Sequence, residues 1–421
     1  MSIGVGMAAE TLLVFHYPGA NYEARFKAAT EYFNQKFPDV KVEYYTGWMS
    51  KMDVGIAGGM VPDVISIDPM NIPAAMGKKY LMALDQYIAN DRSFNMAEFI
   101  PTTVDMVRWQ GKVAGLPITV TVKGLMYNKD LFDKAGVRYP DDSWTWDSYI
   151  TYGKKLTYDS DGNGWLDVFG LDINFGNHSY YPAWIYQSGA DFWSDDYMHS
   201  LVATPEFQQA IQFISDLANE HGVAPVLQPN AKYLSPDVEG YSYASLFKIG
   251  KAAMTWGANE LLTFPSPFPE DMRVGLTRFP MGPASRAGLL NGDIVGIYRY
   301  AKNPDLAWEY CKAVIITSRE RQVAGTEELI PTDQKSLLGK LRLPQFSAMS
   351  PDLLSQLVID GRPITVEHPA TRTVYYWFQE SLKQKFMLGT KALVGPELQD
   401  LARKVDSEIQ DAVKAGVTWS W

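Results

Sequence analysis

The chain has 421 residues, a formal net charge of −10 at pH 7 and 46% hydrophobic residues. This length exceeds what one hydrophobic core usually supports, which predicts two lobes. The negative charge, without any Lys/Arg-rich run, disfavours nucleic acid and anionic membrane surfaces as partners. The sequence also contains no apolar run approaching the ~18 residues of a membrane span.

Neither the single cysteine nor the first ten residues indicate a function. The single cysteine, Cys311, cannot form a disulfide within the chain, and its helical spacing with Leu306, Tyr310 and Val314 predicts a core position. Hydrophobic patterning begins at Thr11, so we interpret the residues before it as a cloning remnant or the tail of a removed leader.

Strands and helices alternate along the first part of the chain. Leu12 to Phe15 has the pattern of a short strand, 22–36 of a helix with Phe26, Ala29 and Phe33 on one stripe, and the runs from Val40 and Asp63 of two further strands. A βαβαβ order predicts a parallel sheet.

Three later helices have clear start signals or apolar spacing. Thr204 and Pro205 open a helix that is predicted to stop at Gly222, and Asn303 and Pro304 open the helix that contains Cys311. A last helix is expected over about 396–415.

Residues 159–167, D-S-D-G-N-G-W-L-D, have the spacing of a calcium-binding loop. Side-chain oxygens recur at alternate positions, and Trp165 would contribute its carbonyl. The twelfth position is Gly170 rather than a bidentate Glu, so we expect a structural site and not a sensor. The alternative is a solvated Asp/Gly turn. The predicted calcium ligands are Asp159, Asp161, Asn163, Trp165 and Asp167.

Several segments in order resemble one family, the extracellular solute-binding proteins of carbohydrate ABC transporters, the group that includes maltose-binding protein. The segments are G-G-M-V-P-D-V-I-S-I-D from Gly58, Y-L-M-A-L-D-Q-Y-I from Tyr80, G-K-V-A-G-L-P-I-T-V-T-V-K-G-L-M-Y-N-K-D-L-F-D-K-A-G from Gly111, S-W-T-W-D-S-Y from Ser143, F-K-I-G-K-A-A-M from Phe247 and the stretch 280–297. The resemblance covers nearly the whole chain.

The resemblance implies an α/β protein with the two-lobe periplasmic-binding-protein-like fold (type II), in which each lobe is a mostly parallel sheet flanked by helices. The implied lobes are residues 1–118 with 262–326 and residues 119–261 with 327–421. Three hinge crossings are expected near 116–123, 255–262 and 326–332. At the first, Pro117 also interrupts the pattern before a β-branched run.

The implied function is capture of a mono- or oligosaccharide between the lobes and its delivery to the permease subunits of an ABC importer, without catalysis. We expect a monomer, in the periplasm or outside the cell, with a lipid anchor at the cell surface as an alternative. Two other classes stay open. Carboxylates among aromatic residues also describe a glycoside-active enzyme, and a surface glycan-binding adhesin would need no hinge.

Sugar-binding residues follow from chemistry and are placed by the resemblance. Carboxylates and amides bind hydroxyls, and aromatic faces stack on sugar rings. Asp68 follows a strand at the edge where open sheets bind ligands, although it could instead be a helix N-cap. Glu260 stands where the family commonly has a Trp, which moves the stacking role to Trp256. Trp184 and Trp377 could instead belong to the core. The predicted ligand-binding residues are Trp48, Asp68, Asn177, His178, Tyr181, Trp184, Trp256, Asn259, Glu260, Asn291, Asp293, Arg372, Tyr375 and Trp377.

Overall fold

Strands and helices alternate from Thr11 onward. The computed structural model describes residues 10–173, 181–194, 198–225, 245–258, 268–326, 330–340, 351–363 and 394–414. The strands are β1 Thr11–His16, β2 Lys41–Thr46, β3 Val64–Ile67, β4 Arg108–Trp109, β5 Lys112–Val113, β6 Leu116–Asn128, β7 Phe169–Asp172, β8 Ala252–Ala258, β9 Val274–Thr277, β10 Gly288–Ile297, β11 Ile330–Pro331 and β12 Gly361–Pro363.

The helices connect these strands. They are α1 Ala20–Lys36, α2 Met49–Ala57, α3 Ile72–Gly77, α4 Asp85–Asn90, α5 Pro101–Asp105, α6 Lys129–Ala135, α7 Trp146–Lys155, α8 Tyr181–Gln187, α9 Pro205–Asn219, α10 Ser245–Lys248, α11 Pro304–Val323, α12 Gln334–Lys340, α13 Pro351–Asp360 and α14 Val394–Lys414. Short 3-10 turns cover Pro69–Asn71 and Met96–Glu98.

The predicted βαβαβ arrangement at the start of the chain is confirmed. β1 pairs in parallel with β2 on one side and with β3 on the other. α1 buries Phe26, Ala29 and Phe33, the stripe expected from its spacing. The helices predicted at Pro205 and Pro304 begin at those residues, and α9 ends at Asn219, slightly before the predicted stop.

The chain divides into two units. Unit 1 comprises Met1–Val120, Asn291–Ser347 and Thr418–Trp421, and unit 2 comprises Thr121–Leu290 and Ala348–Val417. The first boundary falls inside β6, within the crossing expected at 116–123. The second falls inside β10 and the third between Ser347 and Ala348.

The second and third boundaries differ from the predicted crossings at 255–262 and 326–332. The physical reason is strand pairing. β8 and β9 both pair with the part of β6 that follows Thr121, so residues up to Leu290 group with unit 2. β11 pairs with Thr119 and Val120, which places that segment in unit 1.

Unit 1 has a mixed sheet in the order β2, β1, β3, β10 and β6, with β11 on β6. Its parallel strands are joined by α1 and α2, and β10 runs antiparallel to β3. The core lies between this sheet and its helices and includes Phe15, Phe26, Ile65 and Ile297. Cys311 belongs to the same core, as its spacing predicts.

Unit 2 also has mixed strand pairing. β7 pairs in parallel with β8 and β12 with β10, whereas β8 and β9 run antiparallel to β6. Both units therefore combine parallel pairs with helices, and the predicted α/β class is confirmed. None of the helices in the described ranges combines the length and the apolar composition of a membrane span.

Candidate functional site

Two residues leave the carboxyl ends of neighbouring parallel strands in unit 1. Tyr17 follows β1 and Asp68 follows β3. In open α/β sheets this edge is where ligands bind. The Asp68 side chain makes no cap hydrogen bond to the 3-10 turn that begins at Pro69, so it does not take the N-cap role that the sequence left open.

An aromatic group lies beside this edge. Trp48, at the start of α2, is 61% exposed, and its ring centroid is 5.0 Å from that of Tyr17. The buried Tyr17 ring meets Tyr22 edge to face at 5.9 Å. Tyr17 accepts a hydrogen bond of 2.8 Å from the Asn71 amide nitrogen. The fixed Tyr17 ring thus supports an indole that is open to solvent, which is the arrangement a stacking platform needs.

Asp293, in β10, accepts hydrogen bonds from three side chains of unit 1. Arg25 from α1 donates to its Oδ2 over 2.9 Å, and Tyr22 donates to its Oδ1 over 2.7 Å. The Thr119 hydroxyl donates to Oδ2 at 3.1 Å. Burial and the adjoining Asp293 charge raise the pKa of Tyr22, so its hydroxyl remains a donor. Both oxygens of Asp293 accept hydrogen bonds within unit 1, and the ligand contact predicted for this residue stays a prediction.

Asp68 has the opposite environment. No residue of the described ranges donates a hydrogen bond to its carboxyl group, and the side chain is partly buried. Burial first, and the nearby negative charge of Asp293 second, raise the pKa of Asp68 to about 8. A desolvated carboxyl group that lacks donors would gain from ligand hydroxyls.

Asn291 lies two residues before Asp293 in β10. Its side-chain oxygen is buried and accepts no hydrogen bond from the part of the chain that the structure describes. Like Asp68, it is an acceptor of unit 1 that has no donor among the described residues.

In unit 2, the predicted aromatic ligand contacts lie in a packed cluster. Trp256 in β8 is 4% exposed and stacks on Trp184 of α8 with ring centroids 4.4 Å apart. Phe279 covers Trp256 at 4.3 Å. Tyr181 is also buried. This packing favours the core role that the sequence allowed for Trp184 and extends it to Trp256.

Seven of the predicted ligand-binding residues lie outside the described ranges. They are Asn177, His178, Asn259, Glu260, Arg372, Tyr375 and Trp377. Conversely, sequence reasoning missed Tyr17, Tyr22 and Arg25. A polar residue directly after a buried strand could have indicated Tyr17, whereas no local signal marks Arg25 as the partner of Asp293.

The 159–167 loop is closed by its own hydrogen bonds. Asp159 accepts from the backbone amides of Gly162 and Gly164, and these bonds lower its pKa. Asp161 accepts from Asn163, which in turn accepts from Trp165. These are turns in which an Asp or Asn side-chain oxygen accepts from a backbone amide a few residues further on.

Asp167, at the ninth position, has a different partner. Its carboxylate is buried and forms a 2.5 Å ion pair with Lys251, and Ser160 donates to it as well. Burial alone would raise the pKa of Asp167, but these donors hold it below its usual range. Within the described ranges no three His, Cys, Asp or Glu side chains are placed to hold a metal. Calcium in this loop therefore stays a prediction.

Comparison with known proteins identifies the family. Residues 19–315 match the model of the family described as bacterial extracellular solute-binding protein. A Brucella abortus (strain 2308) protein named as a binding protein is 23% identical over 356 residues, covering 81% of this chain and 83% of its own. An arabinooligosaccharide-binding protein of Halalkalibacterium halodurans is 25% identical over 265 residues, covering 60% of this chain and 55% of its own.

A solved structure supports the same fold. The sugar-binding protein MalE of Xanthomonas citri aligns with a TM-score of 0.77 at 16% identity, covering 96% of this chain and 98% of that chain. This likeness confirms the predicted two-lobe, periplasmic-binding-protein-like fold. Since the family model spans well over half of the chain, the protein belongs to the bacterial extracellular solute-binding proteins.

Proposed function

We propose that the protein binds a neutral carbohydrate without turnover and delivers it to the permease subunits of an ABC importer. The observation that carries this proposal is the position of Trp48 and Asp68, which follow β2 and β3 at one sheet edge of unit 1. Trp48 offers an open aromatic face, and Asp68 offers a carboxyl group without donors among the described residues. Sugars present both an apolar ring face and hydroxyl donors, so this combination suits them.

Family membership supports the same ligand class. Two of the similar proteins are named for sugars or oligosaccharides, and the family is extracellular. We infer that this protein acts as a monomer in the periplasm or outside the cell, either free or held by a lipid anchor. We also infer that sugar draws the two lobes together, since such closure commits ligand in two-lobe binding proteins.

A glycoside-active enzyme would need two carboxyl groups flanking the scissile bond, one as acid and one as base or nucleophile. In the described part of unit 1, Asp68 has a carboxyl group free of donors, but Asp293 is bound by Arg25, Tyr22 and Thr119. This difference favours binding over hydrolysis.

A matched pair of variants tests the proposal. Trp48→Ala should weaken sugar binding by about 1–3 kcal/mol, the usual cost of losing an aromatic anchor. Tyr300→Ala is the control, because Tyr300 is also an exposed aromatic residue, at 58%. It follows the end of β10, which pairs with the start of β3, whereas Asp68 follows the end of β3. Tyr300 therefore lies at the opposite sheet edge from Asp68. Thermal shifts with maltose, lactose and arabinotriose measure the effect. Equal shifts in both variants would remove Trp48 from the site.

A further inference from the structure

We propose that sugar binding by unit 1 releases a proton from Asp68, so that sugar affinity rises with pH. This inference rests on the proposed function and specifies how the same site responds to its surroundings. It starts from an imbalance of charge. β3 and β10 pair antiparallel with Ile67 opposite Ile294, so the residues next to these two, Asp68 and Asp293, lie side by side at the end of the strand pair. The guanidinium of Arg25 is bound to Asp293 at 2.9 Å, and the charge of Asp293 disfavours ionisation of Asp68.

The difference in hydrogen bonding between the two carboxyl groups comes from residues on three elements of unit 1. Tyr22 and Arg25 come from α1, Thr119 from β6 and Asp293 from β10, and each of the first three donates to Asp293. Asp68 receives no hydrogen bond from any of them, nor from another residue within the described ranges. Asp293 thus has hydrogen-bond donors on both carboxylate oxygens, whereas the ionised form of Asp68 has none among the described residues.

The described titratable and charged groups around Asp68 give it no positive partner. Tyr17, at the end of β1, lies close enough to feel the charges of both carboxyl groups, and so does Tyr22 of α1. Both phenols remain neutral because burial raises their pKa values. Among the described residues, Arg25 is the cation of this cluster, and it forms its ion pair with Asp293. The proton is therefore the only neutralising partner that these residues leave to Asp68 in the ligand-free protein.

Sugar hydroxyls change that balance. A hydroxyl donates its hydrogen bond to a carboxylate more strongly than to a neutral carboxyl group, so a bound sugar favours ionised Asp68. The carboxyl O–H proton then passes to buffer, and the sugar O–H takes its place as the group facing the Asp68 oxygens. Sugar and proton consequently compete, and linkage requires affinity to rise with pH until Asp68 is ionised in the free protein.

The opposite sign would follow if neutral Asp68 donated its proton to a sugar oxygen. Binding would then hold or take up a proton, and affinity would fall as pH rises. The two arrangements use the same residues and differ only in which partner donates the hydrogen bond, so the direction of the pH effect distinguishes them.

Isothermal titration calorimetry decides between them. Maltose, lactose and arabinotriose are titrated into the full chain at pH 6.5, 7.5 and 9, in pairs of buffers with different ionisation enthalpies. We expect release of close to one proton per sugar bound at pH 6.5, fading by pH 9. Sugar affinity should rise about tenfold between pH 6.5 and 7.5. It should level off above the pKa of Asp68, which is about 8.

Two variants keep the experiment decisive. Asp68→Asn should abolish both the proton release and the pH dependence, while Asp39→Asn, an exposed carboxylate in the same unit, should keep both. Proton uptake, a pH-independent affinity, or unchanged release in Asp68→Asn would overturn the inference while leaving sugar binding intact. Failure of all three sugars to bind at every pH would instead overturn the proposed function and this inference with it.

Discussion

Arg25 and Asp293 form a 2.9 Å ion pair in which neither side chain is more than 4% exposed. They are separated by 268 positions in the chain and join α1 to β10 within unit 1. Tyr22 and Thr119 also donate to the Asp293 carboxylate, and no cation of the described residues is paired with Asp68. The electrostatics of the proposed site therefore depend on this buried pair.

Removing Arg25 should destabilise unit 1 strongly. Arg25→Met leaves Asp293 buried without its cation, which typically costs about 3–5 kcal/mol of unfolding free energy. The double variant Arg25→Met/Asp293→Asn should recover part of that loss, because no uncompensated charge remains. Urea denaturation of the parent, both single variants and the double variant measures the coupling. A loss below about 1 kcal/mol in Arg25→Met would show that Asp293 does not need this partner.

Asp68 should make the ligand-free protein less stable as pH rises. Its folded pKa of about 8 lies above the ordinary carboxyl pKa. Between these two pH values the folded state therefore binds more protons than the unfolded state. Stability from this group is fully present below about pH 4 and is lost as pH rises to about 8.

Asp68→Asn should remove this loss. The unfolding free energy of the variant, relative to that of the parent, should increase from pH 5 to pH 8.5. Urea denaturation at these two pH values measures the difference. Asp39→Asn, at an exposed position, should follow the parent. A constant difference between Asp68→Asn and the parent at both pH values would contradict the raised pKa.

Two tryptophans that the sequence placed together in the ligand site should behave differently when truncated. Trp256→Ala removes a side chain packed between Trp184 and Phe279 and should cost about 3–5 kcal/mol of stability. Trp48→Ala affects a largely exposed ring and should change stability by less than about 1 kcal/mol. Thermal unfolding of both variants without sugar checks this contrast. Similar losses in the two would mean that Trp48 is part of the packing of unit 1.

Calcium should stabilise the 159–167 loop if the sequence prediction is right. Cation binding offsets the repulsion among its carboxylates, so calcium should raise the melting temperature and EDTA should lower it. Lys251 already neutralises Asp167, which should limit the gain. Lys251→Gln should therefore show a larger calcium shift than the parent, and Asp159→Asn a smaller one. Identical melting in calcium and EDTA for the parent and for Lys251→Gln would leave this segment as a polar turn.

Much of unit 1 could be predicted because its signals are local. The stripe of Phe26, Ala29 and Phe33 indicates α1, and the apolar run before Asp68 indicates β3. The position of Asp68 at the sheet edge follows from that strand alone. Family motifs supplied the expected two-lobe architecture, which the structural comparison confirms.

The partners of the site residues could not be predicted in the same way. Whether Asp293 faces ligand or is held by Arg25 depends on contacts between residues far apart in the chain. The same holds for Trp256, whose burial depends on Trp184 and Phe279. The later boundaries between the two units likewise depend on the antiparallel pairing of β8 and β9 with β6, which joins segments far apart in the chain. Periodicity reports which face of a strand is apolar, but not which neighbour covers it.

The central claim, sugar binding without turnover, is tested most directly by calorimetric titration of the full chain with maltose, lactose and arabinotriose, followed by chromatography of the recovered sugar. At least one sugar should bind at one site per chain with micromolar or tighter affinity, roughly 8 kcal/mol or more of binding free energy. It should be recovered unchanged after prolonged incubation. Cleaved sugar would contradict the account in favour of an enzyme, and binding of amino acids or peptides with no response to any sugar would contradict the carbohydrate assignment.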